Sequence, residues 1–259
     1  MTTPSRPKTH IAYHTSEAIY VRDADLVEDL IGNVSFTEMM FFQITGRRPT
    51  RSQIAVLDAV LVTLMEHGLT PSAIATRLIH ISAPEALQSA VAAGLLGVGS
   101  TFVGAMEGAA RLIEEMLSSP AGEQAAARAI ATRHREKREP LPGFGHHLHK
   151  PDDPRPARLF AVARHHELAG NHIRALQVLS RAVDEVYGRH ITINATGAIA
   201  AVLGEIGFPR EVMRGVAVVS RAAGLVGHIL EEQREPAARH MWETIEREVP
   251  YESAERSDP

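Results

Sequence analysis

TRSQIAVLDAVLVTLMEHGLTPSAIATRLIHIS, residues 50–82, sets the fold class. Thr50 followed by Gln53 is a capping box, whose two side chains satisfy otherwise orphaned amides at a helix start. Ile54, Leu57, Leu61, Leu64 and Met65 then recur at helical spacing, and Gly68 closes the run. Thr70 with Pro71 opens the next helix, because a proline at the first helical position forfeits no hydrogen bond. The same punctuation recurs outward. Ser35 with Glu38 opens an apolar stretch ending at Gly46, and Ala83 with Pro84 and Ser119 with Pro120 read as further helix starts. Beyond residue 140 a loop precedes helices expected near 155–169, 171–187, 195–206, 209–233 and 236–247. Period-two alternation is nearly absent; at 188–194, Ile191 and Ile193 around Thr192 suggest a short extended link. The pattern predicts an all-α chain of roughly ten helices, with loose tails at 1–9 and 251–259.

The 259 residues are 44% hydrophobic and 22% charged, enough apolar material for a sizeable core. With 27 basic against 31 acidic side chains, net charge −4, the chain lacks the basic field that phosphate backbones require. Nucleic acid is not an expected partner. The absence of cysteine excludes disulfides, thiolate nucleophiles, zinc ribbons and iron–sulfur clusters, and fits a reducing cytoplasm. The opening MTTPSRPKTH lacks a basic patch leading into an apolar run, and no stretch of about 18 uncharged apolar residues occurs. Neither export nor a membrane partner is expected. Only Lys8, Lys137 and Lys150 are lysines, so 24 of the basic residues are arginines and a single arginine carries little weight.

The densest chemistry lies in GFGHHLHKPDDPR, residues 143–155. Gly143 and Gly145 let the backbone approach a ligand, and Pro154 starts a helix. A solvated connector would also collect polar residues, but not three imidazoles. His146, His147, His149, Asp152 and Asp153 offer metal-ligand atoms, yet adjacent residues rarely face one ion. There is no HExxH spacing, and of His165 and His166 on a helix one must point away. No metal is expected.

The order and spacing of that loop resemble the citrate synthase family, whose members carry a GxGHxVYKxxDPR-like segment. The resemblance implies that His146 binds and polarises the ketone of oxaloacetate and that Arg155 grips a carboxylate through paired hydrogen bonds. EHGLTPSAIATR, residues 66–77, is similar to the family's DHxxNASTxxxR segment, with Glu66, Thr70 and Pro71 departing, and gives His67 a share in holding oxaloacetate. The plain alternative for His67 is a helix C-terminal cap. SRAAGLVGHILEE, residues 220–232, is similar to ARTAGWxAHWxE and makes Arg221 a carboxylate ligand. Arg221 also sits in an apolar helix, where an unpaired charge is costly. Arg239 is a looser match to an arginine that, in the family, reaches in from a partner subunit.

Two departures fall at proton-transfer positions. GVGSTFVGAMEGAA, residues 97–110, aligns with GxLHGGAxE through Gly104, Ala105 and Glu107, placing Phe102 at the first catalytic histidine. INATGAIAAVLGEIGFP, residues 193–209, resembles INVDGAIAAVLxDLGFP and places Thr196 at the catalytic aspartate. In the family that aspartate deprotonates the acetyl-CoA methyl group while the histidine stabilises the enolate. Losing both groups, each worth about 10² to 10⁴ in rate, leaves little ordinary condensation or cleavage. Glu107 and His149 are conceivable substitute bases, though the family's matching glutamate is structural.

The resemblance covers about residues 11–247, and the chain's length is nearest the compact citryl-CoA lyase-like members. It implies an all-α homodimer with large and small helical lobes and a cleft between them. The lobes are expected at 10–140 and 141–235, with a helix at 236–250 returning to the large lobe. Glycines 143 and 145 would approach an acyl-CoA co-substrate, and no permanently bound cofactor is implied. The activity implied is acyl-CoA dependent carbon–carbon bond formation or cleavage, of citrate synthase (transferase) or citryl-CoA lyase type, on oxaloacetate or citrate. A non-catalytic carboxylate- or CoA-binding regulatory homologue uses the same residues, and a histidine-dependent metal hydrolase is a third, weaker class. Restoring both altered positions, Phe102→His with Thr196→Asp, is predicted to give condensation activity in a thiol-release assay. No gain in a folded, ligand-binding variant counts against the alignment of those two segments.

Overall fold

We describe a computed structural model of the chain over residues 6–99, 103–146 and 148–252. It opens with a small antiparallel sheet of β1 (Ala12–His14), β2 (Ile19–Val21) and β3 (Ala24–Asp25), which the helical punctuation did not announce. The turn between β2 and β3 explains it. Arg22 and Asp23 both adopt positive φ, the two-residue hairpin geometry that matches strand twist, and Tyr13 stacks on Tyr20 across β1 and β2 at 4.8 Å. A π-helical turn at Leu26–Leu30 follows, capped by the Asp25 side chain.

Eleven α-helices occur among the described residues: α1 (Phe36–Thr45), α2 (Arg51–Met65), α3 (Pro71–Ser82), α4 (Leu87–Leu96), α5 (Ala105–Leu117), α6 (Glu123–Lys137), α7 (Pro154–His165), α8 (Asn171–Tyr187), α9 (Ala195–Glu205), α10 (Met213–Arg234) and α11 (Ala238–Glu248). Ser35 accepts the Glu38 amide at 3.1 Å and Gly46 ends α1 in the left-handed conformation. The Thr50–Gln53 box is reciprocal, at 3.2 and 2.9 Å. Two expected helix starts are corrected. Pro84 and Pro120 sit one residue into β-turns closed by Ala86 N–H to Ala83 O (3.0 Å) and Gly122 N–H to Ser119 O (3.1 Å), so α4 and α6 begin only at Leu87 and Glu123. Proline's fixed φ suits the second position of a turn as well as the first of a helix. The extended link at 188–194 is a single β-bridge between Ile193 and Phe144.

The chain packs as two compact units. One holds the residues up to Val60 with Ala105–Met213; the other holds Leu61–Gly104 with the residues from Arg214 onward. This grouping by packing cuts the chain at other places than the lobe boundaries read from the sequence. The tails fall partly outside the described residues, at 1–5 and 253–259.

In the first unit α9 is the central element, touching α5, α7 and α8, with Ala198, Ile199, Ala201, Val202 and Leu203 fully buried. Its small residues let neighbours approach closely. A Cβ on Gly197 would lie 2.9 Å from the Gly143 Cα, so the 143–155 loop crosses the start of α9 at backbone contact. Asp153 joins the pieces. Its buried carboxylate accepts the Arg155 amide at 3.0 Å, capping α7, and the Ala195 amide at 3.1 Å, capping α9, while its own N–H donates to Thr192 Oγ1. A second tie holds the same loop to the end of α8: His190 lies 2.9 Å from Asp152 and 2.7 Å from Asp184, the two charged groups that face it.

In the second unit α3 packs on α4 and α11 on α3. A Cβ on Gly94 of α4 would strike Thr76 and the Ser72 carbonyl, and Ser72 donates to Gly94 O at 2.6 Å. Gly224 of α10 similarly abuts the last carbonyl of α2 at Met65. By length and composition alone the run Arg210–Arg234 is apolar enough to cross a membrane. Arg221, His228 and Glu232 within it instead take charged partners from the same unit, the behaviour of a helix packed in a protein core.

Two outcomes are expected. Burial opposes ionisation of Asp153, but the Arg155 side chain and the amides it accepts hold its carboxyl below the ordinary range. Its stabilisation is therefore complete above the ordinary carboxylate pKa and is lost as pH falls through the lower folded value. Asp153→Asn is expected to cost about 3 kcal/mol in urea unfolding at neutral pH and to flatten the acid limb. The His190 imidazole is raised, first by Asp184 and then by Asp152. That contribution is present below the ordinary imidazole pKa and fades as pH rises through the raised folded one. His190→Gln should remove this alkaline decline, costing less than about 1 kcal/mol because the pair is solvent-exposed.

Candidate active site

His146 and Arg155, nine residues apart, are brought together in the first unit. The loop turns back at Gly143 and Gly145, both at positive φ, and Gly145 N–H donates to Thr192 O at 2.8 Å. His146 Nδ1 then accepts the amides of Leu148 (3.1 Å) and His149 (3.0 Å). Arg155 is aimed by a two-point clamp: Nε to Asp153 Oδ1 at 2.9 Å and a terminal nitrogen to Oδ2 at 2.7 Å. The same terminal nitrogen lies 3.3 Å from His146 Nε2. The imidazole and the guanidinium thus lie side by side, and the guanidinium is a group that suits an acceptor oxygen such as a carboxylate. The His149 ring lies against His146 with centroids 4.4 Å apart.

The glycines divide in their reasons. The space a Gly143 side chain would fill belongs to Gly197 and Ala109, so packing alone demands glycine there. Gly145 meets nothing closer than Ile191 at 4.0 Å and keeps an open side. Thr196 stands in the first turn of α9, its hydroxyl donating to Asn194 Oδ1 at 2.7 Å. Asn194 in turn caps α9 through the Gly197 amide and donates to Gly145 O at 3.0 Å. Glu107 lies in the first turn of α5. Phe102 and His147 lie outside the described residues.

His67 and Arg221 belong to the second unit and are linked there through Glu66. One Glu66 oxygen accepts the His67 and Gly68 amides, both at 2.7 Å, and lies 3.5 Å from an Arg221 terminal nitrogen. Gly68, at φ 71, turns the chain from α2 toward α3, which exposes the His67 side chain. Arg77, which ends the 66–77 segment, is buried and paired with Glu231 and Glu232. Arg239 on α11 is 77% exposed and pairs with Glu243 one turn on, an ordinary surface pair.

Several contributors were missed in the sequence. Asp153 was weighed only as a metal ligand, although an acidic residue before Pro154 at a helix start signals an N-cap. Asn194 ahead of α9 carries the same signal. Glu66 and His228 offered no such mark, because their roles depend on α2 and α10 meeting at Gly224.

A sequence model of the citrate synthase C-terminal domain matches residues 9–247. Among solved structures, citryl-CoA lyase from Hydrogenobacter thermophilus is 33% identical, with a TM-score of 0.87, covering 97% of this chain and 96% of that one. ATP citrate lyase from Methanothrix soehngenii, in complex with citrate and coenzyme A, is 18% identical at a TM-score of 0.78. The alignment spans 99% of this chain and 43% of that one, a likeness of fold. Citrate synthase 2 of Bacillus subtilis is 24% identical over 196 residues, 75% of this chain and 51% of that protein. The chain spans 60% or less of the length of the curated relatives it matches. With the helical fold and the family model over nearly its whole length, the chain belongs to the citrate synthase family.

Proposed function

We propose that this protein binds a di- or tricarboxylate of the oxaloacetate or citrate kind together with an acyl-CoA, and makes or cleaves the carbon–carbon bond between them. The observation that carries the reading is the convergence of His146 Nε2 and the Arg155 guanidinium, 3.3 Å apart, on a backbone frame that fixes both. An oxo-acid offers a ketone to the imidazole and a carboxylate to the guanidinium. Arg221 and His67 add cationic and imidazole groups for further carboxylates, and Gly145 leaves the loop open to a thioester chain. Likeness to citryl-CoA lyase over almost the entire length of both chains supports the lyase arm, and the Methanothrix relative's complex with citrate and coenzyme A supports both ligands. The reading includes a homodimer, supported by Trp242 and Ile245 of α11 and Val249 just beyond its end, which are exposed apolar groups. Arg239 on that helix would serve the partner's substrate, and the setting is the cytoplasm.

A second reading, a non-catalytic carboxylate sensor, is favoured by Thr196. Its hydroxyl is engaged with the α9 cap, and a hydroxyl lacks the carboxylate's capacity to take a methyl proton. A donor that brings its own carbanion, needing no deprotonation, reconciles the retained pocket with turnover. Calorimetry with citrate and with oxaloacetate, then thiol release in both directions, separates the two readings. Binding with thiol release carries the enzyme; binding without it carries the sensor; no binding sinks both. Arg155→Gln is expected to weaken carboxylate binding by about 2 kcal/mol, roughly 30-fold, because a charged two-point donor is lost. Unchanged affinity in that variant removes Arg155 from the site.

A further inference from the structure

The second unit contains a chain of polar groups, buried at Arg77 and Glu232 and partly open to solvent at Glu66, that ends at the two groups assigned to carboxylate binding. Arg221, His228 and Glu232 follow one another on α10 at separations of seven and four residues, which puts them on one face. Arg77 of α3 reaches that face with its guanidinium almost fully buried. One terminal nitrogen pairs with Glu232 at 2.9 Å, the other with Glu231, and Nε donates to His228 Nδ1 at 3.1 Å. Glu232 uses its other oxygen to accept the Ala237 and Ala238 amides at the start of α11.

The donor on His228 decides its state. A guanidinium Nε–H can only donate, so His228 Nδ1 must be an acceptor, and the neutral imidazole then carries its proton on Nε2. That nitrogen lies 3.0 Å from Glu66 Oε2. The remaining Glu66 oxygen holds the His67 and Gly68 amides and faces Arg221. Gly224 is what allows this: any side chain there would collide with the Met65 carbonyl, parting α10 from the end of α2. Burial works against ionisation of Glu66, yet the His67 amide, His228 and Arg221 together keep its carboxyl below its usual value.

We propose that His228, with its tautomer fixed by Arg77, is a positioning residue that orients Glu66 and, through it, the backbone at His67 and the Arg221 guanidinium. The chain runs from the first amides of α11 through Glu232, Arg77, His228 and Glu66 to His67 and Arg221, so the placement of those two groups is set from a buried anchor at Arg77 and Glu232. This inference rests on the carboxylate-binding reading of His67 and Arg221 for its functional half only.

The test has a half that needs no ligand. In the intact protein with nitrogen-labelled histidine, the His228 imidazole is expected to be neutral and protonated at Nε2 near pH 7; an Nδ1-protonated or doubly protonated ring overturns the proposal. His228→Leu is expected to speed amide hydrogen exchange at His67 and Gly68 by about tenfold, and to weaken citrate or oxaloacetate binding by about tenfold. His228→Gln presents an acceptor and a donor in place of the two ring nitrogens and is expected to recover most of both effects. Unchanged exchange in a folded His228→Leu overturns the proposal. Faster exchange with unchanged affinity overturns the link to the ligand. If the wild-type protein binds neither carboxylate, the functional reading fails while the exchange and tautomer measurements still decide the positioning role.

Discussion

One buried carboxylate organises the first unit. Asp153 at once caps α7, accepts the first amide of α9 and clamps Arg155, with two contacts on each of its oxygens. A carboxylate with no exposed side-chain surface is costly unless every direction is filled. Here backbone amides and a guanidinium fill them, so the cost is offset by groups that must be placed for binding anyway. The arrangement makes folding and site geometry the same event: the loop cannot close over α9 without also aiming Arg155 toward His146.

The helices were legible where the chain carries its own stop and start chemistry. Ser35, Thr50 and Pro71 work through neighbours within four residues, and sequence reading found all three. Pro84 and Pro120 misled because the local preference they encode, φ near that of both a helix and a turn, is shared by two structures; the Ala83–Ala86 and Ser119–Gly122 hydrogen bonds chose the turn. The β1–β3 sheet was hidden for another reason. Its turn residues, Arg22 and Asp23, are not the Asn-Gly pair that advertises positive φ, and strands of two or three residues leave no periodic signal.

At the candidate site, the grouping of His146 with Arg155 was legible and its supports were not. His146 and Arg155 stand in one motif whose spacing survives intact, so their meeting follows from local sequence. Gly143 was read as clearance for a ligand, whereas its missing side chain makes room for Gly197 and Ala109, residues more than thirty positions away on either side. Contacts of that range are written by packing, not by motif. The same holds for Arg77, whose place at the end of the 66–77 segment says nothing of its partners, and which spends both ends of its guanidinium on Glu231 and Glu232. In a chain with 24 arginines, burial and partners sort the functional from the structural far better than abundance does.

The two units hold their candidate site arginines by opposite strategies. In the first, an anion below Arg155 is fully buried and fully bonded, so the guanidinium is stiff, with one terminal nitrogen beside His146. In the second, Glu66 is partly open to solvent and shares itself between two amides, an imidazole and Arg221, whose contact at 3.5 Å is long for a pair of full charges. On the proposed reading, a substrate carboxylate at Arg221 would compete with a loosely engaged internal one, whereas at Arg155 it would add to a pair already settled. Stiffness at Arg155 and exchangeability at Arg221 follow from burial alone: the anion without solvent access has no alternative partner, and the one with access does.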